Sequence, residues 1–221
     1  MKEEAGQKRI QESILAPYEK KILIGIASRL PSFINSDHLT ILGFAAGCLS
    51  GLFYYFARID HLCLWVVNIL IFLNWFGDSL DGTLARVRNK QRPRYGYYVD
   101  HVLDALATSA MLWGMAFSGY IHSSLALMTL CVYLIMSINA YLSESIFGSF
   151  QISYWKFSPT ELRILMIIGN CYVYYKPAVN LFSYHFLLFD AGYIIGLFIL
   201  FIMLLSQITR NIIKLYNEER I

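Results

Sequence analysis

At 221 residues the chain has the length of one or two soluble domains, yet 57% of it is apolar and only 15% charged, against roughly 25% charged in soluble domains. That balance excludes an ordinary soluble globule. Long uncharged runs separated by short basic clusters are the pattern of a polytopic helical membrane protein. A net charge of +3, carried mostly beside apolar runs, points to anionic lipid headgroups or phosphorylated substrates and away from nucleic acid.

Residues 1–30 come first. Over 3–30, charges (Lys8, Arg9, Glu12, Glu19, Lys20, Lys21) alternate with apolar residues (Ile10, Ile14, Leu15, Ile22, Leu23, Ile26), which predicts an interfacial amphipathic helix broken near Pro17. Mixed charge and the lack of a continuous apolar core argue against a cleavable signal peptide here. Six spanning segments follow at about 20 residues per crossing, near 38–58, 61–84, 97–120, 123–148, 159–178 and 186–209. The expected fold is therefore all-α: a single domain over 1–221 whose six-transmembrane bundle occupies 38–209.

Six crossings put both termini on one side. Lysines and arginines crowd the N-terminal segment, the 86–94 connection, the fourth connection (Lys156, Arg163) and the tail (Arg210, Lys214, Arg220), leaving Arg58 and Lys176 opposite. The positive-inside rule then makes both termini cytoplasmic. Cys48, Cys63, Cys131 and Cys171 form no C-x-x-C pair, so neither a disulfide framework nor a zinc site is expected. Gly43, Gly47 and Gly51 recur every four residues in the first segment, and Gly192 and Gly196 do so in the sixth. Such spacing lets helices approach closely in lipid, first of all within one chain and secondarily across a dimer seam.

Chemistry concentrates at the cytoplasmic end of segment two, in Asp78-Ser-Leu-Asp81-Gly82-Thr-Leu-Ala85-Arg86. It resumes nine residues later in Gly96-Tyr-Tyr-Val-Asp100-His-Val-Leu-Asp104. Steps of three, four and seven put Asp78, Asp81, Gly82 and Ala85 on one helical stripe, and Gly96, Asp100 and Asp104 on another. Two antiparallel helices can turn these stripes together. Four carboxylates at membrane depth oppose one another's ionisation and need compensation. An all-oxygen donor set favours Mg²⁺, Mn²⁺ or Ca²⁺ over zinc. Gly82 and Ala85 leave the stripe without bulk, although glycine costs a helix about 1 kcal/mol relative to alanine, so room for a ligand is the reason to keep it. A lone aspartate here would more often cap a helix or sit solvated at the interface, but eight positions agree at once. His101 points about 100° away from Asp100 and is left out. Glu144 lies within segment four, and Glu161 stands with Lys156 and Arg163 on the active-site side, where interface anchoring is an equal alternative.

This spacing resembles the signature of the CDP-alcohol phosphotransferase (CDP-alcohol phosphatidyltransferase) family, and Ser36-Asp37-His38-Leu39-Thr40 is similar to the family's P-N/D-x-x-T entry with serine in place of proline. The resemblance implies a six-helix membrane enzyme, often a homodimer, that transfers a substituted phosphate from a CDP-linked donor to an alcohol acceptor and releases CMP in phospholipid synthesis. It implies that Asp78, Asp81 and Asp100 bind Mg²⁺ or Mn²⁺, with two ions in the site. Asp104 becomes a ligand of the second ion and the general base. Asp78, Gly82, Ala85 and Arg86 would contact the donor's nucleotide and phosphates, and Lys156 and Arg163 the acceptor. A CDP-diacylglycerol donor is favoured over a small CDP-alcohol with a lipid alcohol acceptor. Two rivals differ in kind. Aspartate-rich prenyltransferases carry a different spacing twice, and a cation transporter would not cluster its carboxylates at one membrane face.

Overall fold

The computed structural model describes residues 16–147, 159–181 and 184–220. Seven helices appear in chain order: α1 Ala16–Ala27, α2 Ser36–Phe56, α3 Cys63–Val87, α4 Pro93–Ala116, α5 Ser123–Phe147, α6 Pro159–Tyr175 and α7 Leu188–Glu218. Between the last two, β1 Ala178–Leu181 and β2 Tyr184–Leu187 pair antiparallel. This short hairpin is an addition that the sequence does not predict, and the architecture around it is helical throughout the described residues. Its residues are mostly apolar, and the sequence reading divided them between the ends of two helices and a connection.

Among the described residues four helices, α2, α3, α5 and α7, are long and apolar enough to cross a membrane. The other two expected spans do not meet that measure among the described residues: α4 carries Arg94, Asp100 and Asp104, and the described part of α6 has 17 residues. The last helix runs past the expected end at 209 to Glu218. Pro17 is the second described residue of α1, and the part of the amphipathic segment before Ala16, with the expected break there, lies outside the described residues. Large apolar side chains such as Ile41, Trp65, Ile69, Trp113, Leu142 and Phe198 face outward, as they do where lipid is the solvent.

Glycine sets the packing of α2. A Cβ on Gly47 would stand 2.7 Å from Ala107 Cβ on α4, and one on Gly51 would overlap the Ala110 carbonyl; reciprocally, a Cβ on Gly114 would strike Gly51. On the α3 side a Cβ on Gly77 would lie 2.6 Å from Gly43 N. The glycine stripe is thus spent inside the chain, bringing α2 backbone to backbone with both aspartate-bearing helices. Gly192 and Gly196 have nothing within 4 Å of an added Cβ. Toward the other end, a core of Tyr54, Leu64, Val67, Ile71, Leu112 and Met115 joins α2, α3 and α4. Fully buried Asn170 of α6 accepts from Tyr54 Oη (2.9 Å) and donates to Asn68 Oδ1 (2.8 Å). Polar ties of this kind substitute for a hydrophobic driving force between helices in lipid.

Candidate active site

The two aspartate stripes meet because α3 stops sharply. Asn89 adopts φ 53°, a left-handed conformation asparagine tolerates. Around it Lys90 N–H donates to the Ala85 carbonyl (2.9 Å) and Asn89 N–H to the Arg86 carbonyl (3.1 Å), the paired bonds of a Schellman ending. Pro93 then opens α4 in the first helical turn, where its missing N–H costs nothing. The tight return sets α4 antiparallel to α3. As a result Asp78 of α3 and Asp100 and Asp104 of α4 each offer a carboxylate oxygen within 4.8 Å of the others.

Asp81 lines the same cleft with Thr40, Asn74, Asp78, Asp100 and Asp104, but its carboxylate belongs to a different set of contacts. Thr40 Oγ1 lies 2.5 Å from Asp81 Oδ2, and Gly82 N–H donates to Asp81 Oδ1. Ser36 Oγ donates to the Asp81 backbone carbonyl at 3.0 Å. The head of α2 is held for this by Asn35, whose side chain accepts from His38 N–H at 3.0 Å while its own N–H donates to His38 Nδ1; a reciprocal cap of this kind satisfies end donors at both positions. Ser36, where the family pattern has proline, therefore supplies a hydroxyl that proline lacks.

Arg163 enters the same cluster. Its Nη2 stands 2.8 Å from Asp78 Oδ2, with both side chains largely shielded. The guanidinium offsets one of the carboxylate charges, and a charge-assisted bond in this setting is strong. Gly82 has room beside it, since an added Cβ would meet only the guanidinium of Arg86, 3.5 Å away at Nη1. Arg86 donates to Thr83 Oγ1 at 3.0 Å. Ala85 lies in a neighbouring groove with Ser36, Asp37, Arg88, Lys90 and Arg92. There Arg88 donates to the Leu30 and Pro31 carbonyls at 2.9 Å, fixing the α1–α2 turn, and Arg92 pairs with Asp37.

His101 turns toward α5, with its ring 4.2 Å from Tyr97 and 5.0 Å from Tyr141. Glu144 is half-buried on α5, and Lys156 lies outside the described residues. The sequence reading missed Asn74, which lines the cleft and donates to the Gly43 carbonyl at 2.9 Å. Its position one turn before Asp78 on the same stripe was the available signal. Three half-buried carboxylates with no histidine or cysteine in the group fit a hard divalent cation such as Mg²⁺ or Mn²⁺.

A family model for CDP-alcohol phosphatidyltransferase matches residues 33–205. The chain is also 30% identical over 119 residues to the archaetidylinositol phosphate synthase of Pyrococcus horikoshii, a match covering 53% of this chain and 60% of that relative.

Proposed function

The chain belongs to the CDP-alcohol phosphatidyltransferase family, and from that premise we propose an integral membrane enzyme that transfers a substituted phosphate from a CDP-linked donor to an alcohol acceptor in phospholipid synthesis. The observation that carries the reading is the convergence of Asp78, Asp100 and Asp104 within 4.8 Å. Asp78, Asp81 and Asp100 would hold Mg²⁺ or Mn²⁺, and Asp104 would be a ligand or neighbour of a second ion. Bound there, divalent cations neutralise the donor's diphosphate, which phosphoryl transfer needs more than covalent help.

The remaining roles fall to the chain's own residues. Asp104 takes the proton of the acceptor hydroxyl as its oxygen bonds to the phosphorus of the transferred group; the bond from that phosphorus to CMP breaks, and CMP leaves. Gly82 and Ala85 admit the nucleotide, and Arg86 lies beside its phosphates. Arg163, with Lys156, receives an anionic acceptor and orients it against the cluster. The favoured pair is a CDP-diacylglycerol-type donor with a small polar alcohol. The relative's name, which specifies a phosphorylated inositol lipid as product, agrees with a lipid-bearing donor and a polar acceptor.

In this reading α4 and α6 cross the membrane beside α2, α3, α5 and α7, giving six spans, and the basic 86–94 connection supports a cytoplasmic site with both termini on the same side. The homodimer implied by the family resemblance needs a seam other than the α2 glycines, which face α3 and α4. The test supplies purified protein with Mg²⁺ and either labelled CDP-diacylglycerol plus polar alcohols or labelled CDP-alcohols plus diacylglycerol. Expected is CMP release with a labelled lipid product in the first arm, lost in EDTA. Product in the second arm alone reverses the donor assignment, and CMP release in neither defeats the transferase reading.

A further inference from the structure

Outside the aspartate cluster, one carboxylate gathers donors from two other helices. Glu19 of α1 accepts at Oε1 from Trp75 Nε1 (2.8 Å) and Ser79 Oγ (3.1 Å), both on α3, and Thr160 Oγ1 of α6 lies 3.2 Å from each of its oxygens. The positions of those partners give the contact its meaning. Trp75 and Ser79 bracket Asp78 in sequence, and Thr160 precedes Arg163 by three residues, nearly one turn. Asp78 and Arg163 are themselves the pair that joins α3 to α6 at the cluster.

We infer that Glu19 is a positioning residue: it ties the first turn of α6 to α3 through the interfacial helix, and so holds Arg163 against Asp78. The inference rests on the transfer reaction proposed above for the role of Arg163, but the tie itself is a matter of geometry. A carboxylate suits the task because its two oxygens accept several hydrogen bonds at once, and bonds to a charged acceptor are stronger than neutral ones. On either side of Glu19, α1 exposes Tyr18 and Lys20, groups that prefer the headgroup layer. Docking of α1 at the membrane surface is thereby coupled to the acceptor side of the site. Arg163 is reached from Glu19 through α6 and Thr160, without any contact between Glu19 and the substrates.

The test compares wild type with Glu19→Ala and Glu19→Gln in lipid nanodiscs. Deuterium uptake by the 160–168 segment, measured without substrates, should accelerate in Glu19→Ala and stay near wild type in Glu19→Gln, whose amide keeps the shape and can still bond Trp75, Ser79 and Thr160. With CDP donor and polar acceptor supplied, Glu19→Ala should raise the acceptor KM roughly tenfold, equivalent to about 1.4 kcal/mol, while the donor KM changes less than about twofold; Glu19→Gln should restore the acceptor KM. Unchanged uptake in Glu19→Ala overturns the tie. So does a glutamine variant as impaired as the alanine one. Donor and acceptor KM rising together reduces Glu19 to a general structural contact. Absence of wild-type turnover with every CDP donor defeats the transferase reading, while the uptake measurement still decides the tie.

Discussion

Arg163 Nη2 stands 2.8 Å from Asp78 Oδ2, so the first aspartate of the constellation already shares its charge with a cation of the protein's own. A guanidinium and a divalent ion then draw on the same carboxylate. Arg163→Gln removes that competitor, and the Mn²⁺ concentration for half-saturation of the site should fall, because the three carboxylates face fewer positive charges. Turnover should fall too, by about thirtyfold or more, since removal of one partner of a shielded pair costs roughly 2–5 kcal/mol. Titration of bound Mn²⁺ by its spin-resonance signal, alongside an acceptor saturation curve, checks both. Weakened ion binding in the variant would place Arg163 in support of the metal site instead.

Asp104→Asn separates ligation from proton transfer. Asparagine keeps the shape and one oxygen but cannot take a proton from the acceptor hydroxyl. Loss of a general base typically costs 10²–10⁴-fold in rate, whereas donor binding should stay within roughly tenfold, about 1.4 kcal/mol. Binding and single-turnover measurements at saturating Mg²⁺ decide it. Collapse of both together makes Asp104 mainly a ligand.

Two glycines with opposite surroundings should respond oppositely. Gly82→Leu leaves the fold intact, because an added Cβ meets only the Arg86 side chain at 3.5 Å, yet it should abolish CDP-donor binding by filling the nucleotide's space. Gly51→Ala drives a methyl into the Ala110 carbonyl and should destabilise the protein by about 1–3 kcal/mol or more, seen as a lower melting temperature in detergent. Donor affinity unchanged in Gly82→Leu would move the pocket elsewhere.

Thr40→Val tests whether the head of α2 serves the site. The substitution is close in volume but removes the hydroxyl 2.5 Å from Asp81 Oδ2. An unmade bond to a shielded acceptor costs roughly 1–3 kcal/mol, so turnover should drop by about tenfold while Asp78, Asp100 and Asp104 stay in place. Wild-type rates in Thr40→Val would show that Asp81 needs no such support.

The aspartate stripes were legible in the chain because a 3.6-residue period fixes which positions share a face, and Asp78, Asp100 and Asp104 converge as that period requires. The glycine stripe of α2 was legible as a packing surface, but its partners, Gly77, Ala107 and Ala110, belong to tertiary structure that no local pattern encodes. Arg163 was placed near the acceptor from its side of the membrane; its bond to Asp78 depends on how α6 docks on α3, 85 residues away. The 178–187 hairpin escaped notice because short apolar runs carry no period that distinguishes a strand from the frayed end of a helix.

The contacts of α2 with α3 and α4 run through glycine backbone, while α6 is attached by side-chain bonds from Glu19, Asp78, Tyr54 and Asn68. Backbone pressed on backbone has no rotamers to exchange, so the helices bearing all four aspartates form a stiff anvil whose spacing is set by main chain. Side-chain bonds can break one at a time and re-form with a substrate. The wall that α6 lends to the cleft is therefore the one that single side-chain substitutions can loosen, whereas only a change of main-chain spacing can alter the other two.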